Sequence, residues 1–239
     1  MQGMIFAAGL GTRLLPITEN KPKALVKVGE KTLLEIVINK MVDYGIKRIV
    51  VNVHHFAQDI ISFLNSKSFG CEILVSDERE ELLDTGGGVK KAWQRGLFDK
   101  NEDILIHNVD ILSAIDFNAL YDCHFAKQHL VTLCVQKRET QRYLLFNENN
   151  VLCGREAVNK KIFTRKYTKL YKYAFSGIQI ISPEILDKIR LEGKFSIIDA
   201  YMELSKEYDI NCFLDNGSIW MDVGKPDSLA LANTTLKFI

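Results

Sequence analysis

The chain has 239 residues, of which 47% are apolar and 26% are charged, and these fractions exclude a disordered or fibrous protein. Its 31 basic residues nearly balance 30 acidic ones, and the net charge of +1 argues against a general nucleic-acid binder. No apolar run approaches the roughly 18 residues of a membrane helix, and the first residues do not resemble a signal peptide. We therefore expect no membrane partner.

Strands and helices are predicted to alternate through the first half of the chain. Apolar residues recur at helical spacing over 33–44, and Gly45 is placed to end that helix. We predict strands over 4–8, 48–53, 72–75, 104–106 and 130–135, with helices over 33–44, 57–64, after 86–88, and over 117–126. Strands separated in this way imply βαβ units, a mostly parallel sheet, and ligands beyond the carboxyl ends of the strands.

After residue 136 the pattern changes. Short strands over 143–146 and 151–153 flank a polar turn, which predicts an antiparallel hairpin. The stretch 155–172 carries seven basic residues against one acid, and it is either a solvated excursion or a flap that faces phosphates. We also predict strands over 175–181, 212–214 and 219–222, with helices from Pro183 and over 197–205 and 228–236. No linker is visible, so we expect a single domain over 1–239.

The five cysteines are an odd number and show no spacing typical of a zinc site. Cys134 alternates inside an apolar run and Cys71 opens one, so we expect buried free thiols. This usage indicates a reducing compartment and a cytoplasmic location.

A glycine loop, Gly9-Leu10-Gly11-Thr12-Arg13, directly follows the first predicted strand. It is not the dinucleotide pattern GxGxxG, because residue 14 is leucine and the second strand ends without a ribose-binding acid. Exposed loop amides form an anion nest, and arginine adds a forked donor for phosphate oxygens. The loop is therefore either a simple turn or a phosphate site.

These residues and those that follow resemble the sugar-1-phosphate nucleotidylyltransferases, also called nucleotide-sugar pyrophosphorylases. The resemblance runs from residue 4 to about 229 and rests on the segments 9–18 (GLGTRLLPIT), 21–25 (KPKAL), 84–88 (DTGGG), 108–110 (NVD), 175–177 (FSG) and 220–224 (WMDVG). The TGGG and WMDVG segments are most similar to N-acetylmuramate-1-phosphate uridylyltransferases. Mannose- and heptose-1-phosphate guanylyltransferases are similar as well.

The resemblance implies an α/β fold that is three-layer and Rossmann-like, of the GT-A-type nucleotide-diphospho-sugar transferases. It has a mostly parallel mixed sheet and a small antiparallel insertion. No hexapeptide repeat follows the last predicted helix, so we expect no carboxyl-terminal β-helix domain. The partners implied are an NTP and a sugar 1-phosphate, and the protein is expected to be a monomer or homodimer.

The reaction implied is the Mg²⁺-dependent transfer of a nucleoside monophosphate from an NTP to a sugar 1-phosphate, which releases pyrophosphate. The pair we expect is UTP with N-acetylmuramate 1-phosphate, in cell-wall sugar recycling. One alternative is GTP with mannose or heptose 1-phosphate. Another is a catalytically silent sensor or regulatory subunit, although such a chain is expected to lose the acids or Lys23. The attacking phosphate oxygen is already ionised, so the chemistry needs positive charge and in-line approach rather than a general base.

The resemblance also implies the residues of the site. Arg13 and the loop amides would hold the phosphates that leave, and Lys23 would bridge the α-phosphate and the incoming sugar phosphate. The catalytic residues implied are Arg13, Lys23 and Asp110. The nucleotide-binding residues implied are Ala8, Gly9, Gly11, Thr12, Arg13, Lys23, Thr85, Gly86 and Gly87. The sugar-binding residues implied are Asn108, Gly177 and Asp199.

Asp110 and Asp222 each end a predicted strand, and both belong to the segments that carry the resemblance. Mg²⁺ is usually held by one or two carboxylates together with substrate phosphates. Asp110 and Asp222 are therefore the expected metal ligands, whereas either residue alone would equally suit a turn or cap.

The sequence departs from the family in two places. Val109 replaces a common glycine, and a Glu-Lys-Pro segment that supplies a second phosphate-binding lysine is missing. A lysine from 160–172, such as Lys172, is a candidate replacement. Thr85 has the alternative role of a helix N-cap. His54, His55 and His107 show no metal spacing and are expected to be structural.

Overall fold

The computed structural model describes residues 1–158 and 160–235, in which strands and helices alternate through the first half and five described strands follow one another between residues 131 and 181. The strands there are β1 (Gln2–Phe6), β2 (Lys27–Val28), β3 (Lys31–Thr32), β4 (Arg48–Val53), β5 (Glu72–Asp77), β6 (Ile104–Asn108), β7 (Ile111–Ser113), β8 (Val131–Gln136), β9 (Arg142–Phe146), β10 (Leu152–Ala157), β11 (Lys160–Phe163), β12 (Tyr171–Ile181), β13 (Ile210–Asp215) and β14 (Trp220–Asp222). The helices are α1 (Leu33–Asp43), α2 (Ala57–Asn65), α3 (Asp84–Gln94), α4 (Phe117–Ala126), α5 (Glu184–Asp187), α6 (Ile197–Leu204) and α7 (Pro226–Thr235).

A mixed sheet runs through the centre of the molecule, in the order β11-β10-β9-β12-β6-β1-β4-β5, with β8 pairing β12 and β13 pairing β8. The strands β6, β1, β4 and β5 are parallel to one another, as their alternation with helices predicts. Strand β12 pairs antiparallel with β6, β8 and β9, and the predicted hairpin forms from β9 and β10. The expected α/β fold is confirmed.

Each face of the sheet carries its own apolar core, which makes the molecule three-layered. Successive residues of β1 point to opposite faces, so Ile5 joins one core and Met4 joins the other. Helices α1, α2, α4 and α7 cover the first face, and α3, α5 and α6 cover the second.

Local chemistry sets most of the element boundaries. Helix α1 begins where the Thr32 hydroxyl accepts the Glu35 N–H (3.2 Å), and it ends before Gly45, whose φ is 103°. The predictions for β4 and α4 match residue for residue. The prediction for the last helix extends to Leu236, which lies outside the described residues.

Two expectations need correction. The helix predicted to follow Gly86–Gly88 contains these glycines, since α3 begins at Asp84. Cys134 is buried as expected, whereas Cys71 is only half-buried because strand β5 lies at the edge of the sheet. All five cysteines are free. Among the described residues, no helix has the length and apolarity needed to cross a membrane.

Candidate active site

A cleft of about 580 Å³ opens at the carboxyl ends of the parallel strands β1 and β6. This is the edge at which α/β sheets bind ligands. The loop after β1 forms one wall, and Lys23, Asn52, Thr85 and Asp110 contribute to the others. Of the predicted nucleotide-binding residues, the cleft brings together Ala8, Gly9, Gly11, Thr12, Arg13, Lys23 and Thr85.

The loop holds its backbone amides open toward the cleft. Gly11 has a φ of 69°, and its carbonyl accepts a hydrogen bond from the Thr18 hydroxyl (2.8 Å). A Cβ at Gly11 would lie 3.2 Å from side-chain atoms of Lys23 and Thr18, so the position suits glycine in both conformation and space. The N–H groups of Gly9, Leu10 and Gly11 have no hydrogen-bond acceptor among the described residues. The loop therefore has the form of an anion nest.

Two cations and two carboxylates meet at the base of the cleft. The Arg13 guanidinium lies 3.5 Å from an oxygen of Asp110 and 3.2 Å from an oxygen of Asp222. The Lys23 ammonium donates to that same oxygen of Asp110. Lys23 and Asp110 are largely buried, whereas Arg13 is half exposed. The cluster therefore places two cations where polyanionic substrates can reach them.

Asp222 reaches the cleft through a short second sheet. Strand β14 pairs antiparallel with β7, with Asp222 opposite Ile111, and the Val223 N–H donates to the Asp110 carbonyl (2.9 Å). Burial alone would raise the pKa of Asp222, but the Gly224 N–H and the Arg13 guanidinium outweigh burial and lower it. A Cβ on Gly224 would lie 2.5 Å from the Arg13 guanidinium, so this glycine is needed for the contact.

The structure places the glycines of the TGGG segment against another segment of the chain rather than along the cleft. Gly86 and Gly87 do not line the cleft, and their N–H groups donate to the Phe195 carbonyl (2.9 and 3.3 Å). A Cβ would lie 2.4 Å from the Phe195 ring at Gly86 and 2.2 Å from the Gly193 carbonyl at Gly87. These glycines therefore allow close packing against the loop before α6.

Thr85 is not a helix N-cap either. Leu83 is the N-cap residue of α3, and the Thr85 hydroxyl accepts the Ile197 N–H (3.0 Å) at the start of α6. This bond ties the start of α3 to the start of α6.

A second cavity, of about 770 Å³, adjoins the first and contains all three predicted sugar-binding residues, Asn108, Gly177 and Asp199. Gly177 has a φ of 76°, and a Cβ there would lie 2.9 Å from the Asn108 side-chain amide. Asp199 pairs with Arg155 (2.5 Å). Arg13, Asn108 and Asp110 line both cavities.

Some basic residues of the stretch 155–172 face the second cavity, and others do not. Arg155 and Lys160 line the second cavity, as a phosphate-facing flap would. Lys161 instead pairs with Glu156 (3.4 Å), and the Lys172 ammonium lies 4.5 Å from the centre of the Tyr143 ring. Lys172 does not line either cavity, so it is not placed to replace the missing lysine.

Val109, the departure from the family, belongs to the apolar core and also lines the first cavity, and two of the three histidines have backbone hydrogen bonds. Val109 is buried in the apolar core, and its N–H donates to the Phe6 carbonyl (3.2 Å). His107 is buried, and burial lowers its pKa to about 3, so the ring is neutral and its Nδ1–H donates to the Asn108 carbonyl (2.8 Å). His54 donates in the same way to the Glu78 carbonyl (2.7 Å).

Sequence reasoning missed a buried polar chain behind the glycine loop. The Asn52 side chain accepts the Ala7 N–H (2.8 Å) and donates to the Glu78 carboxylate (2.9 Å). Glu78 is fully buried, and burial raises its pKa to about 7. Asn52 could have been noticed in the sequence because it lies near the end of a predicted parallel strand, where the dinucleotide pattern requires an acid. The chain fixes the point where β1 becomes the loop.

Comparisons with known proteins agree with this geometry. The family model described as Nucleotidyl transferase matches residues 2–237. The N-acetylmuramate alpha-1-phosphate uridylyltransferase of Caulobacter vibrioides is 28% identical over 98% of this chain and 96% of its own length. The mannose-1-phosphate guanyltransferase of Saccharomyces cerevisiae is 28% identical over 99% of this chain, which spans only 64% of that relative.

Solved structures show the same fold. HddC from Yersinia pseudotuberculosis, complexed with GMP-PN, superposes with a TM-score of 0.77 at 19% identity, and covers 98% of this chain and 99% of its own. A UDP-glucose pyrophosphorylase complexed with UDP-glucose gives a TM-score of 0.76 at 15% identity, with 99% and 98% coverage. The match of the family model over nearly the full sequence shows that this chain belongs to the nucleotidyl transferase family.

Proposed function

We propose that this protein transfers a nucleoside monophosphate from an NTP to a sugar 1-phosphate, giving an NDP-sugar and pyrophosphate. The observation that carries the proposal is the meeting of two cavities at Arg13, Asn108 and Asp110. A two-substrate transfer needs such an arrangement, because the attacking group must approach the α-phosphorus in line with the leaving pyrophosphate.

In the first cavity, the loop amides at Ala8, Gly9, Gly11 and Thr12 bind the leaving phosphates together with the Arg13 guanidinium. Lys23 stabilises the charge that builds up between the α-phosphate and the incoming phosphate oxygen. That oxygen is already ionised near neutral pH, so no side chain has to remove a proton from it. The nucleoside lies toward the start of α3, beside Thr85.

Asp110 and Asp222 fit a bound Mg²⁺. Both are carboxylates, Asp110 lines both cavities and Asp222 lines the second, and the adjoining cavities leave room for substrate phosphates as the remaining ligands. When bound, Mg²⁺ neutralises phosphate charge in the transition state. Arg13 contacts both of these carboxylates and Lys23 contacts Asp110, so a bound metal would compete with these cations.

The substrates we propose are UTP and N-acetylmuramate 1-phosphate. Support comes from the Caulobacter relative, which aligns with this chain over 96% of its own length, whereas the guanyltransferase of Saccharomyces is longer than the matched region. Cell-wall sugar recycling is the corresponding role. The alternative is GTP with mannose or heptose 1-phosphate, and a silent regulatory subunit is disfavoured because Lys23, Asp110 and Asp222 are all present and clustered.

The test is pyrophosphate release in the presence of Mg²⁺. UTP, GTP, CTP, dTTP and ATP are each combined with N-acetylmuramate, mannose, glucose, N-acetylglucosamine and heptose 1-phosphates. One productive pair, with release that requires both substrates, supports the proposal and identifies base and sugar. Nucleotide binding without release from any pair would support the silent subunit instead.

A further inference from the structure

One arginine on the wall of the second cavity forms no ion pair with a described carboxylate. Arg138 follows β8, and its guanidinium carbon lies 3.7 Å from the centre of the Trp220 ring. One amino group donates to the Phe175 carbonyl (2.7 Å), while the buried Nε has no hydrogen-bond acceptor among the described residues. No described carboxylate lies within 4.0 Å of this guanidinium. Burial lowers the pKa of Arg138, yet a guanidinium stays charged in proteins.

The surrounding contacts hold this guanidinium in a fixed position. The Trp220 indole donates to the Ser176 carbonyl (2.8 Å), which places the ring on the strand that carries Gly177. Arg138 therefore lies between an aromatic face and the backbone of β12. The half-buried guanidinium has no carboxylate partner among the described residues, so a negatively charged ligand group in the second cavity would supply its counter-ion.

The position of Arg138 relative to the metal ligands is set by strand geometry. Trp220 and Asp222 are two residues apart on β14, so their side chains share one face and lie about 7 Å apart along the strand. The charge of Asp222 raises the pKa of Arg138, although burial outweighs this effect. Arg138 thus contacts the ring that stands beside Asp222, on the side of the second cavity.

A second cation without an acid partner lies on the same wall. Arg142 begins β9, four residues after Arg138, lines the cavity and has no described carboxylate within 4.0 Å. Glu139, the acid of the same loop, accepts a hydrogen bond from the Tyr143 hydroxyl (3.2 Å) instead. Arg155, by contrast, already has Asp199 as its partner. Arg138 and the exposed Arg142, the arginine wall of the second cavity, therefore form no ion pair with a described carboxylate.

We propose that this arginine wall binds a second negatively charged group of the acceptor sugar, a carboxylate, distinct from its 1-phosphate. This proposal rests on the proposed function, because it assigns the second cavity to the acceptor. The 1-phosphate belongs beside Lys23 and Asp110, where transfer takes place. A planar guanidinium held flat against an indole presents its free edge to a carboxylate. A neutral sugar would leave the half-buried cation unpaired, and so binds less tightly.

The test uses two acceptors that differ only in a carboxylate-bearing group. N-acetylmuramate 1-phosphate carries a lactyl ether where N-acetylglucosamine 1-phosphate carries a hydroxyl. We expect the wild-type enzyme to show a higher kcat/KM for the acidic acceptor, and Arg138→Gln to reduce that preference roughly ten- to hundredfold. Arg138→Lys keeps the charge but not the planar fork, and restores part of the preference. The matched control is Lys188→Gln, which removes a cation that lies over the Tyr208 ring away from both cavities, and it keeps the wild-type preference.

Binding of the two acceptors by titration calorimetry, in the presence of a non-hydrolysable NTP analogue, gives a readout that does not need turnover. If no acceptor reacts, the proposed function fails, but tighter binding of the acidic acceptor that is lost in Arg138→Gln still supports the arginine wall. Three results overturn the proposal: a wild-type enzyme that does not favour the acidic acceptor, a preference unchanged in Arg138→Gln, or an equal loss for both acceptors. The last would mean that Arg138 serves the phosphate that both sugars share.

Discussion

Asp110 and Asp222 are 112 positions apart in the sequence, yet a backbone hydrogen bond from Val223 to the Asp110 carbonyl (2.9 Å) holds them side by side. The Arg13 guanidinium reaches both carboxylates, at 3.5 and 3.2 Å. The short pairing of β7 with β14 thus brings the last strand of the described chain to the end of β6, at the mouth of the parallel half of the sheet. The proposed metal site depends on this pairing.

Replacing either acid should remove turnover without unfolding the protein. Asp110→Asn and Asp222→Asn keep the side-chain volume but remove the charge that Mg²⁺ requires, and we expect kcat to fall by at least about a thousandfold. The measurement is steady-state pyrophosphate release, with far-UV circular dichroism as the check on folding. A folded Asp110→Asn variant with a near wild-type rate would refute the metal assignment.

Lys23 should matter far more than an ordinary ion-paired lysine. Lys23→Gln removes the cation proposed to stabilise transferring charge, and kcat is expected to fall roughly 100- to 1,000-fold. Lys67, which pairs with Glu35 (2.7 Å) on the surface, supplies the matched control, because exposed pairs contribute little. Lys67→Gln should therefore keep the wild-type rate. Equal losses in the two variants would show that Lys23 acts only through folding.

The parallel half of the fold, and the residues that cluster at its carboxyl edge, could be predicted from the sequence. The ends of β1 and β6 are local signals, and the cleft brings the predicted residues Gly9, Arg13, Lys23 and Asp110 together, while their roles are proposals. Most predicted nucleotide-binding residues line the first cavity and the predicted sugar-binding residues line the second, with Arg13 and Asn108 lining both.

Other features depend on contacts between distant segments, which local patterns do not report. Gly86 and Gly87 resembled a ligand-binding turn, but they are needed for packing against Phe195 and Gly193, more than 100 residues later. Arg138 lies in an unremarkable polar loop, and only its stacking on Trp220 shows its importance. Asn52 and Glu78 were overlooked for the same reason, since neither motif nor period links them to the glycine loop.

Glu78 should make stability depend on pH. Burial raises the pKa of its carboxyl from 4.5 to about 7, so between these values the native state keeps a proton that the unfolded chain has released. Stability therefore falls as pH rises from 4.5 to 7, by roughly 3 kcal/mol in total, and stays lower above that window.

The measurement is the free energy of unfolding in urea at pH 5 and at pH 8, for the wild type and for Glu78→Gln. Glutamine cannot ionise, so the variant should lose this part of the pH dependence. The account of Glu78 is wrong if the difference between the two pH values is the same in both proteins.

Two glycines in the same region should respond differently to alanine. A Cβ at Gly88 would lie 2.8 Å from both the Asn52 amide and the Glu78 carboxylate, so Gly88→Ala is expected to cost about 1–3 kcal/mol of stability. At Gly9 a Cβ would meet nothing within 4 Å, and Gly9→Ala should leave the free energy of unfolding within about 0.5 kcal/mol.

The two glycine variants should also be compared for their affinity for nucleotide. Because Gly9 lines the cleft, a methyl group there approaches the bound phosphates, and Gly9→Ala should weaken nucleotide binding despite its native stability. Titration of each variant with UTP and Mg²⁺ measures this. Unchanged affinity in Gly9→Ala would argue against phosphate binding by the glycine loop.

Isotope tracing tests most directly whether a sugar phosphate attacks the α-phosphorus of the nucleotide. The enzyme is incubated with Mg²⁺, N-acetylmuramate 1-phosphate and UTP that is radiolabelled at either the α- or the γ-phosphorus. If the substrate panel finds another productive pair, that pair is used with the same labels. We expect the α-label to appear in the nucleotide sugar and the γ-label in pyrophosphate. Transfer of the γ-label to the sugar, or its release as inorganic phosphate, would contradict nucleotidyl transfer at the α-phosphorus.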